Sequence, residues 1–360
     1  MRRKTKKWVI TFAVLDIMAL VALFLFYGPF TFVKDFLVTN GMTTMSHTYI
    51  PRTFYTDKMI KEVMARNGVI GLTNKIDTSA IKIGQIKEQE TYSSIYEEQI
   101  LKKDKDNDLY KILTIEEDGY KAYLAVIYDP SRVELVASTN KGKQKIDEIA
   151  EYYDAKIAMN ASGYLFGRNR TKIPTGAVIM DGKIIYDNEA IGGGNGGIVG
   201  FNKDHILILT TDEPEDAINK YNLVDAVEFG PFLIINGKMA QFKGDGGLGK
   251  AQRTAIAQRQ DGIVLFLVSD GRQYGKGILG MSAKQMANLL LRYGAYNACN
   301  LDGGNSSIMY AEGEYISTPS KQEGAGGRNL PNAWIVKWKT NSEYMNLFFI
   351  LNLKLCYKFF

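Results

Sequence analysis

Six short segments of this chain combine acids, bases, amides and hydroxyls with glycine more densely than turns alone require. Met159-Asn160-Ala161-Ser162-Gly163-Tyr164 runs from an apolar stretch into a polar turn, where the Asn160 amide can meet a sugar hydroxyl or a phosphate oxygen. Ile173-Pro174-Thr175-Gly176 offers backbone amides and the Thr175 hydroxyl to the same kind of pocket. Arg253-Thr254 heads an extended run, and a guanidinium there can grip phosphate through two parallel hydrogen bonds. Val268-Ser269-Asp270-Gly271-Arg272 closes an apolar run with an acid and a base. Asn300-Leu301-Asp302-Gly303-Gly304-Asn305-Ser306-Ser307 and Gly326-Gly327-Arg328-Asn329 complete the set.

Each segment also has an ordinary explanation when taken singly. Asp-Gly pairs make turns, Gly-Gly makes flexible loops, and a lone arginine sits on a surface. Several familiar chemistries find little support. The histidines are His47 and His205, too few for a histidine-rich zinc site and badly placed for a Ser-His-Asp triad. The run Gly192-Gly193-Gly194-Asn195-Gly196-Gly197 lacks the Lys-Ser/Thr ending and following helix of a phosphate cradle, and it reads as a mobile loop. Asp104, Asp106 and Asp108 have calcium-loop spacing, but the loop glycine is missing and position twelve is Ile115, so the stretch reads as a solvated linker.

The elements that must position these residues are mostly short strands. Residues 111–115 and 120–128 are rich in aromatic and β-branched types around an Asp118-Gly119 turn signal. Similar runs follow at 133–137, 155–159, 177–180, 183–186, 198–201, 205–209, 232–235, 253–257 and 263–268. Helical spacing appears at 144–153 and at 282–293, where Ser282 caps and Gly294 stops the helix. Hairpin-linked strands with few helices predict an α+β fold with a mixed, largely antiparallel sheet domain. Cys299 lies in an apolar stretch and is expected to stay a buried thiol, while Cys356 belongs to the terminal tail.

The 360-residue chain is 46% hydrophobic and carries a formal charge of +5. Arg2, Arg3, Lys4, Lys6 and Lys7 match that whole excess, so the remainder is near neutral and shows no basic patch for nucleic acid. Residues 8–26 are apolar apart from Thr11 and Asp16, long enough as a helix to cross the ~30 Å hydrocarbon core. With basic residues ahead of it and no small-x-small cleavage site behind it, the segment predicts an uncleaved anchor, N-terminus in the cytoplasm and the rest outside. Asp16 at mid-span either faces a partner helix or is tolerated by its strongly apolar surroundings. Four regions result. Residues 1–29 are the basic tail and transmembrane helix. Residues 30–109 are a membrane-proximal helix, opened by Thr56, and a polar linker. Residues 110–339 are the main folded domain. Residues 340–360 are a tail without a readable role.

Taken in order, "MNASGY", "PTGAVIMDGKII", "FGPFLIINGK", "AQRTAIA", "VSDGR", the 282–293 helix, "NLDGGNSSIMY" and "GGRNLPNAWIV" resemble the phosphodiester glycosidase family, over residues 110–338. The resemblance implies an extracytoplasmic hydrolase that cleaves the anomeric bond of a sugar-1-phosphodiester, such as an N-acetylglucosamine-1-phosphodiester, in cell-envelope or exopolysaccharide glycans. It assigns Asp270 and Asp302 to the carboxylate roles, without deciding which is nucleophile or base, and Arg253 and Arg328 to phosphate. Asn160, Thr175, Gly303, Gly304 and Ser306 would shape the pocket. No cofactor is implied, and nothing in the spacing demands a metal. The competing reading is a non-catalytic module that uses the same pocket only to hold glycans.

Overall fold

The computed structural model describes residues 2–43, 47–71, 75–84, 91–104, 107–117, 119–168, 171–188, 196–318 and 326–338. Asp106, Asp118, most of the glycine run at 192–197, Cys356 and the tail at 340–360 lie outside the described residues. The chain forms two compact units, Met1–Gly68 with Phe242–Lys250, and a larger one that runs Val69–Gln241 and resumes at Ala251.

In the first unit, helix Arg2–Tyr27 contains the stretch Lys7–Tyr27, long and apolar enough to cross a membrane, and its large apolar side chains are exposed. Helices Thr31–Met42, Tyr49–Phe54 and Asp57–Arg66 follow, gathered around Val38, Tyr55, Ile60 and Val63. The last of these was expected from the sequence, and Thr56 caps it by accepting the Met59 N–H at 3.3 Å. The first two were not. Their buried positions include Thr39 and Gly41, which hide the apolar period; the Thr39 hydroxyl satisfies itself by donating to the Asp35 carbonyl at 2.8 Å.

The larger unit is built of three principal sheets whose described pairings are all antiparallel. A seven-stranded sheet carries Thr254–Arg259 between Ala295–Asn300 and Val264–Ser269, the latter paired to Tyr120–Ile127. A five-stranded sheet sets Ala155–Asn160 between Met309–Ala311 and Asn332–Lys337. A second five-stranded sheet is centred on Leu223–Phe229. One apolar core draws on all three: Ile256 and Phe266 from the first, Met159 and Trp334 from the second, Val199 and Val227 from the third. Strands such as Val264–Ser269 are buried at every residue because both faces are covered, so they read as continuous apolar runs.

Helix Ala283–Arg292 has the expected Ser282 capping box and lays Met286, Leu289 and Leu290 inward. Two further helices had no sequence signal strong enough to read. Pro214–Tyr221 begins with proline, a residue that breaks helices internally but suits the first helical position. Ile95–Leu101 lies within the stretch read as a polar linker: Ile100 is fully buried, and its carbonyl accepts the Tyr128 hydroxyl at 2.9 Å. A seven-residue helix with two buried apolar side chains is too short to show a period. Cys299 is a free, fully buried thiol as expected, and burial raises its pKa.

Asp225 is a buried carboxyl at 7% exposure, accepting the Leu135 N–H and the Asp181 N–H, each at 3.3 Å. Burial pushes its pKa up to about 7, despite the backbone bonds that favour the anion. The folded state therefore holds this proton more tightly than the unfolded chain, whose Asp titrates near ~3.9. Stability should fall as pH rises from about 4 to about 7 and level off above it. Asp225→Asn should flatten that slope in urea denaturation of the detergent-solubilised chain at pH 5 and pH 8; an unchanged slope would remove Asp225 as its source.

Candidate active site

The antiparallel order of three strands brings distant segments to one sheet edge. Thr254–Arg259 starts where its neighbours Val264–Ser269 and Ala295–Asn300 end, so Arg253, Asp270 and Asp302 emerge on the same side. The Ala155–Asn160 strand of the adjoining sheet ends there too. Its terminal Asn160, fully buried, donates from Nδ2 to the Asp302 carbonyl at 2.7 Å. Oδ1 accepts the Thr254 hydroxyl at 2.9 Å and the Ile308 N–H at 3.1 Å. With those bonds made, one Nδ2 hydrogen is left over, so Asn160 acts mainly to hold the Asp302 turn.

That turn is close-packed backbone. Asp302 N–H donates to the Ala161 carbonyl at 3.3 Å and Gly304 N–H to the Gln252 carbonyl at 2.9 Å. A Cβ on Gly303 would lie 3.2 Å from the Gln252 carbonyl oxygen and 3.5 Å from Arg253 Nη1. Gly304 has φ +61°, the left-handed region where glycine is unstrained. The short helical turn Gly304–Ser306 then aims the Ser306 hydroxyl back at the Asp302 carboxylate.

Asp302 stands at the centre of the cluster. Burial pushes its carboxyl up to about 6, opposed by the Ser306 hydroxyl, the charge of Arg328 and the Gly303 N–H. Arg328 Nη1 also reaches the Tyr164 hydroxyl at 3.5 Å. Tyr164 is 7% exposed, and its pKa is raised first by burial, with Arg328 lowering and Asp302 raising it. The Lys172 ammonium lies 4.6 Å from the centre of the Tyr164 ring. Tyr164 and Lys172 were given no role by sequence reasoning. Tyr164 closes the first quoted motif and Lys172 directly precedes the second, but an aromatic after a polar turn and a lone lysine ahead of a proline carry no chemical signature of their own.

The other expected residues are placed differently. Arg253 is 7% exposed; its Nε donates to the Met281 carbonyl at 3.1 Å, and its backbone N–H donates to the Ser269 hydroxyl at 2.9 Å. It backs the Gly303 turn from inside. Thr175 is buried, its N–H donating to the Gly163 carbonyl at 2.9 Å, which ties it to the hairpin that delivers Tyr164. Asp270 is 1% exposed and accepts the Thr318 N–H at 2.7 Å, the Gln273 side chain at 3.2 Å and the Tyr123 hydroxyl at 3.4 Å. Burial raises its pKa against those bonds and against the charge of Lys121.

A half-buried carboxylate facing an arginine, a hydroxyl and a phenol is suited to an anionic substrate whose negative charge must be matched while a neighbouring centre becomes electron-poor. Among known proteins, the SPbeta prophage-derived uncharacterized protein YomE of Bacillus subtilis is 31% identical over 183 residues, 49% of this chain and 28% of that protein. The mouse N-acetylglucosamine-1-phosphodiester alpha-N-acetylglucosaminidase is 25% identical over 198 residues, 50% of this chain and 36% of the mouse protein. The chain thus spans about a third of the length of these relatives. The solved catalytic domain of the zebrafish N-acetylglucosamine-1-phosphodiester alpha-N-acetylglucosaminidase shares the fold, with a TM-score of 0.51 at 19% identity, over 66% of this chain and 86% of that one. The family profile described as phosphodiester glycosidase matches residues 153–337, from the strand that carries Asn160 through the Asp302 turn to Arg328. With just over half of its 360 residues matched, the chain belongs to the phosphodiester glycosidase family.

Proposed function

We propose that this protein is a membrane-anchored hydrolase of sugar-1-phosphodiesters, N-acetylglucosamine-1-phosphodiesters among them, in cell-envelope or exopolysaccharide glycans. The observation that carries the reading is the Asp302 carboxylate held by Ser306 and Gly303 beside Arg328. In the reaction, the bond from the anomeric carbon to the bridging oxygen breaks and its electron pair leaves with the phosphate. Water adds to the anomeric carbon and gives up a proton. The products are the free sugar and a phosphate monoester on the acceptor. A phosphate leaves as a stable anion, so help from a general acid matters less here than for an ordinary glycoside. Arg328, at the Tyr164 hydroxyl, balances the charge on the departing phosphate, and the Lys172 ammonium lies over the Tyr164 ring. Asp302 faces the electron-poor anomeric centre and takes the proton from water.

An acceptor of protons works only when ionised. Catalytic efficiency should therefore rise about tenfold per pH unit below the Asp302 pKa of about 6 and level off above it. A profile that falls through pH 6 instead would make Asp302 an acid. Asp302→Asn should lower kcat by roughly a hundredfold or more while substrate affinity stays within a few fold. A purely glycan-binding module would show no turnover to lose.

Arg328→Lys keeps the charge but loses the planar fork. It should cost roughly tenfold to a hundredfold in kcat/KM on a sugar-1-phosphodiester and less on a neutral aryl glycoside of the same sugar. Arg253→Lys, by contrast, should lower thermal stability and penalise both substrates alike, because Nε holds the Met281 carbonyl. Selective loss on the phosphodiester from Arg253→Lys would move the phosphate to Arg253.

The basic N-terminus and the apolar helix favour a single pass with the N-terminus in the cytoplasm. Protease added to spheroplasts should then digest the large unit and leave a short embedded stub. Protection of the whole chain would rule this topology out.

A further inference from the structure

The hairpin that delivers Tyr164 stands outside the three principal sheets. Its strands, Tyr164–Phe166 and Lys172–Pro174, form a two-stranded sheet of their own, with Leu165 opposite Ile173 and Phe166 opposite Lys172. Successive side chains of a strand point to opposite faces, so Leu165 and Ile173 share one face and Phe166 lies on the other with Tyr164. Tyr164 is buried at the Asp302 cluster, but its neighbours are not: Leu165 is 42% exposed, Ile173 41% and Phe166 61%. The hairpin thus presents large apolar side chains to solvent on both of its faces, and exposed apolar surface of this kind marks an interaction site.

Geometry and charge together select what covers it. A protein partner docks on one face of a ribbon and leaves the other wet, whereas a lipid surface surrounds both faces of an element dipped into it. Residues 163–175 contain no acid. Arg168 lies exposed just beyond the first strand. Lys172 begins the second, its ammonium 3.6 Å from the centre of the Phe166 ring and 4.6 Å from that of Tyr164. Aromatic rings flanked by lysine and arginine suit a membrane interface, where the rings sit at headgroup level and the basic side chains reach the lipid phosphates.

We propose that this hairpin is a membrane contact separate from the apolar N-terminal helix, with Leu165, Phe166 and Ile173 inserted into an anionic lipid surface and Arg168 and Lys172 at its phosphates. Tyr164 of the same hairpin reaches Arg328, so the contact holds the candidate site at the lipid surface rather than free on a tether. Nothing in it depends on the hydrolase reading.

The test uses the full chain in vesicles containing phosphatidylglycerol, with Cys356→Ser so that the remaining native thiol is the fully buried Cys299. A polarity-sensitive fluorophore is attached at Phe166→Cys, at Ile173→Cys on the opposite face, or at Tyr274→Cys, a control position that is 68% exposed. Lipids brominated in the upper acyl chain should quench the first two labels by about half and the control by less than about a tenth. Replacing phosphatidylglycerol with phosphatidylcholine should roughly halve the quenching at both hairpin positions. Quenching there no greater than at the control, or indifferent to lipid charge, would overturn the proposal. Quenching confined to one face would overturn it too, and a doubled mass in light scattering would then assign the other face to a second copy of the chain. The quenching is independent of turnover, so a chain inactive on sugar-1-phosphodiesters decides the contact equally well.

Discussion

Two sheets end at the same edge, and the Asn160 side chain is bonded to both of them. Through Oδ1 it holds Thr254 at the start of a strand in the seven-stranded sheet and the N–H of Ile308 ahead of the next strand in its own sheet. Through Nδ2 it holds the Asp302 carbonyl. A buried amide without these partners would leave desolvated polar atoms, at roughly 1–3 kcal/mol each. The same bonds fix the backbone of the turn whose side chain is the site's carboxylate. Sheet packing and the placement of Asp302 are thus one constraint, and a change at Asn160 would disturb both.

Behind that bridge, the turn is tight at Gly303, where a side chain would press on the Gln252 carbonyl and the Arg253 side chain. The Arg253 guanidinium lies by Gly303 and also donates to the Met281 carbonyl. A buried arginine in this place stiffens the wall on which Asp302 and Ser306 are mounted. The second carboxylate is held by different means. Asp270 takes a backbone N–H, an amide and a phenol just past the end of its own strand.

Buried polar groups elsewhere do comparable work for the fold. Gln258, fully buried, accepts the Leu207 N–H at 2.7 Å and donates to the carbonyls of His205 and Gly262 at 2.9 and 3.1 Å. It fastens the seven-stranded sheet to the sheet centred on Leu223–Phe229. Asp225 accepts the N–H of Leu135 in another sheet and of Asp181 just after a neighbouring strand of its own sheet, and its raised pKa follows from the desolvation of that position. These residues are polar in type yet sit where apolar ones would be expected, which is why no periodicity in the chain reveals them.

The sequence alone determined the strand content and its antiparallel character, because β-branched runs bounded by Asp-Gly and Asn-Gly turns are local signals. It also determined the capped helix after Ser282 and the apolar N-terminal span, which follow from residue types within one or two turns of each other. It picked out Asp302, Ser306 and Arg328 as members of motifs whose order in the chain marks the family. Which of the polar residues would meet one another was decided by tertiary structure. Arg328 acts on Asp302 and reaches the hydroxyl of Tyr164, whose ring carries no sequence signal, whereas Asp270, equally prominent as a motif, is buried and bonded to Thr318, Gln273 and Tyr123 instead. Helices Thr31–Met42, Ile95–Leu101 and Pro214–Tyr221 likewise owe their stability to what they pack against rather than to their own pattern. The physical reason is common to all of these cases. Propensity and turn chemistry act over a few residues, whereas desolvation, charge pairing and close approach depend on neighbours that only the folded chain brings together.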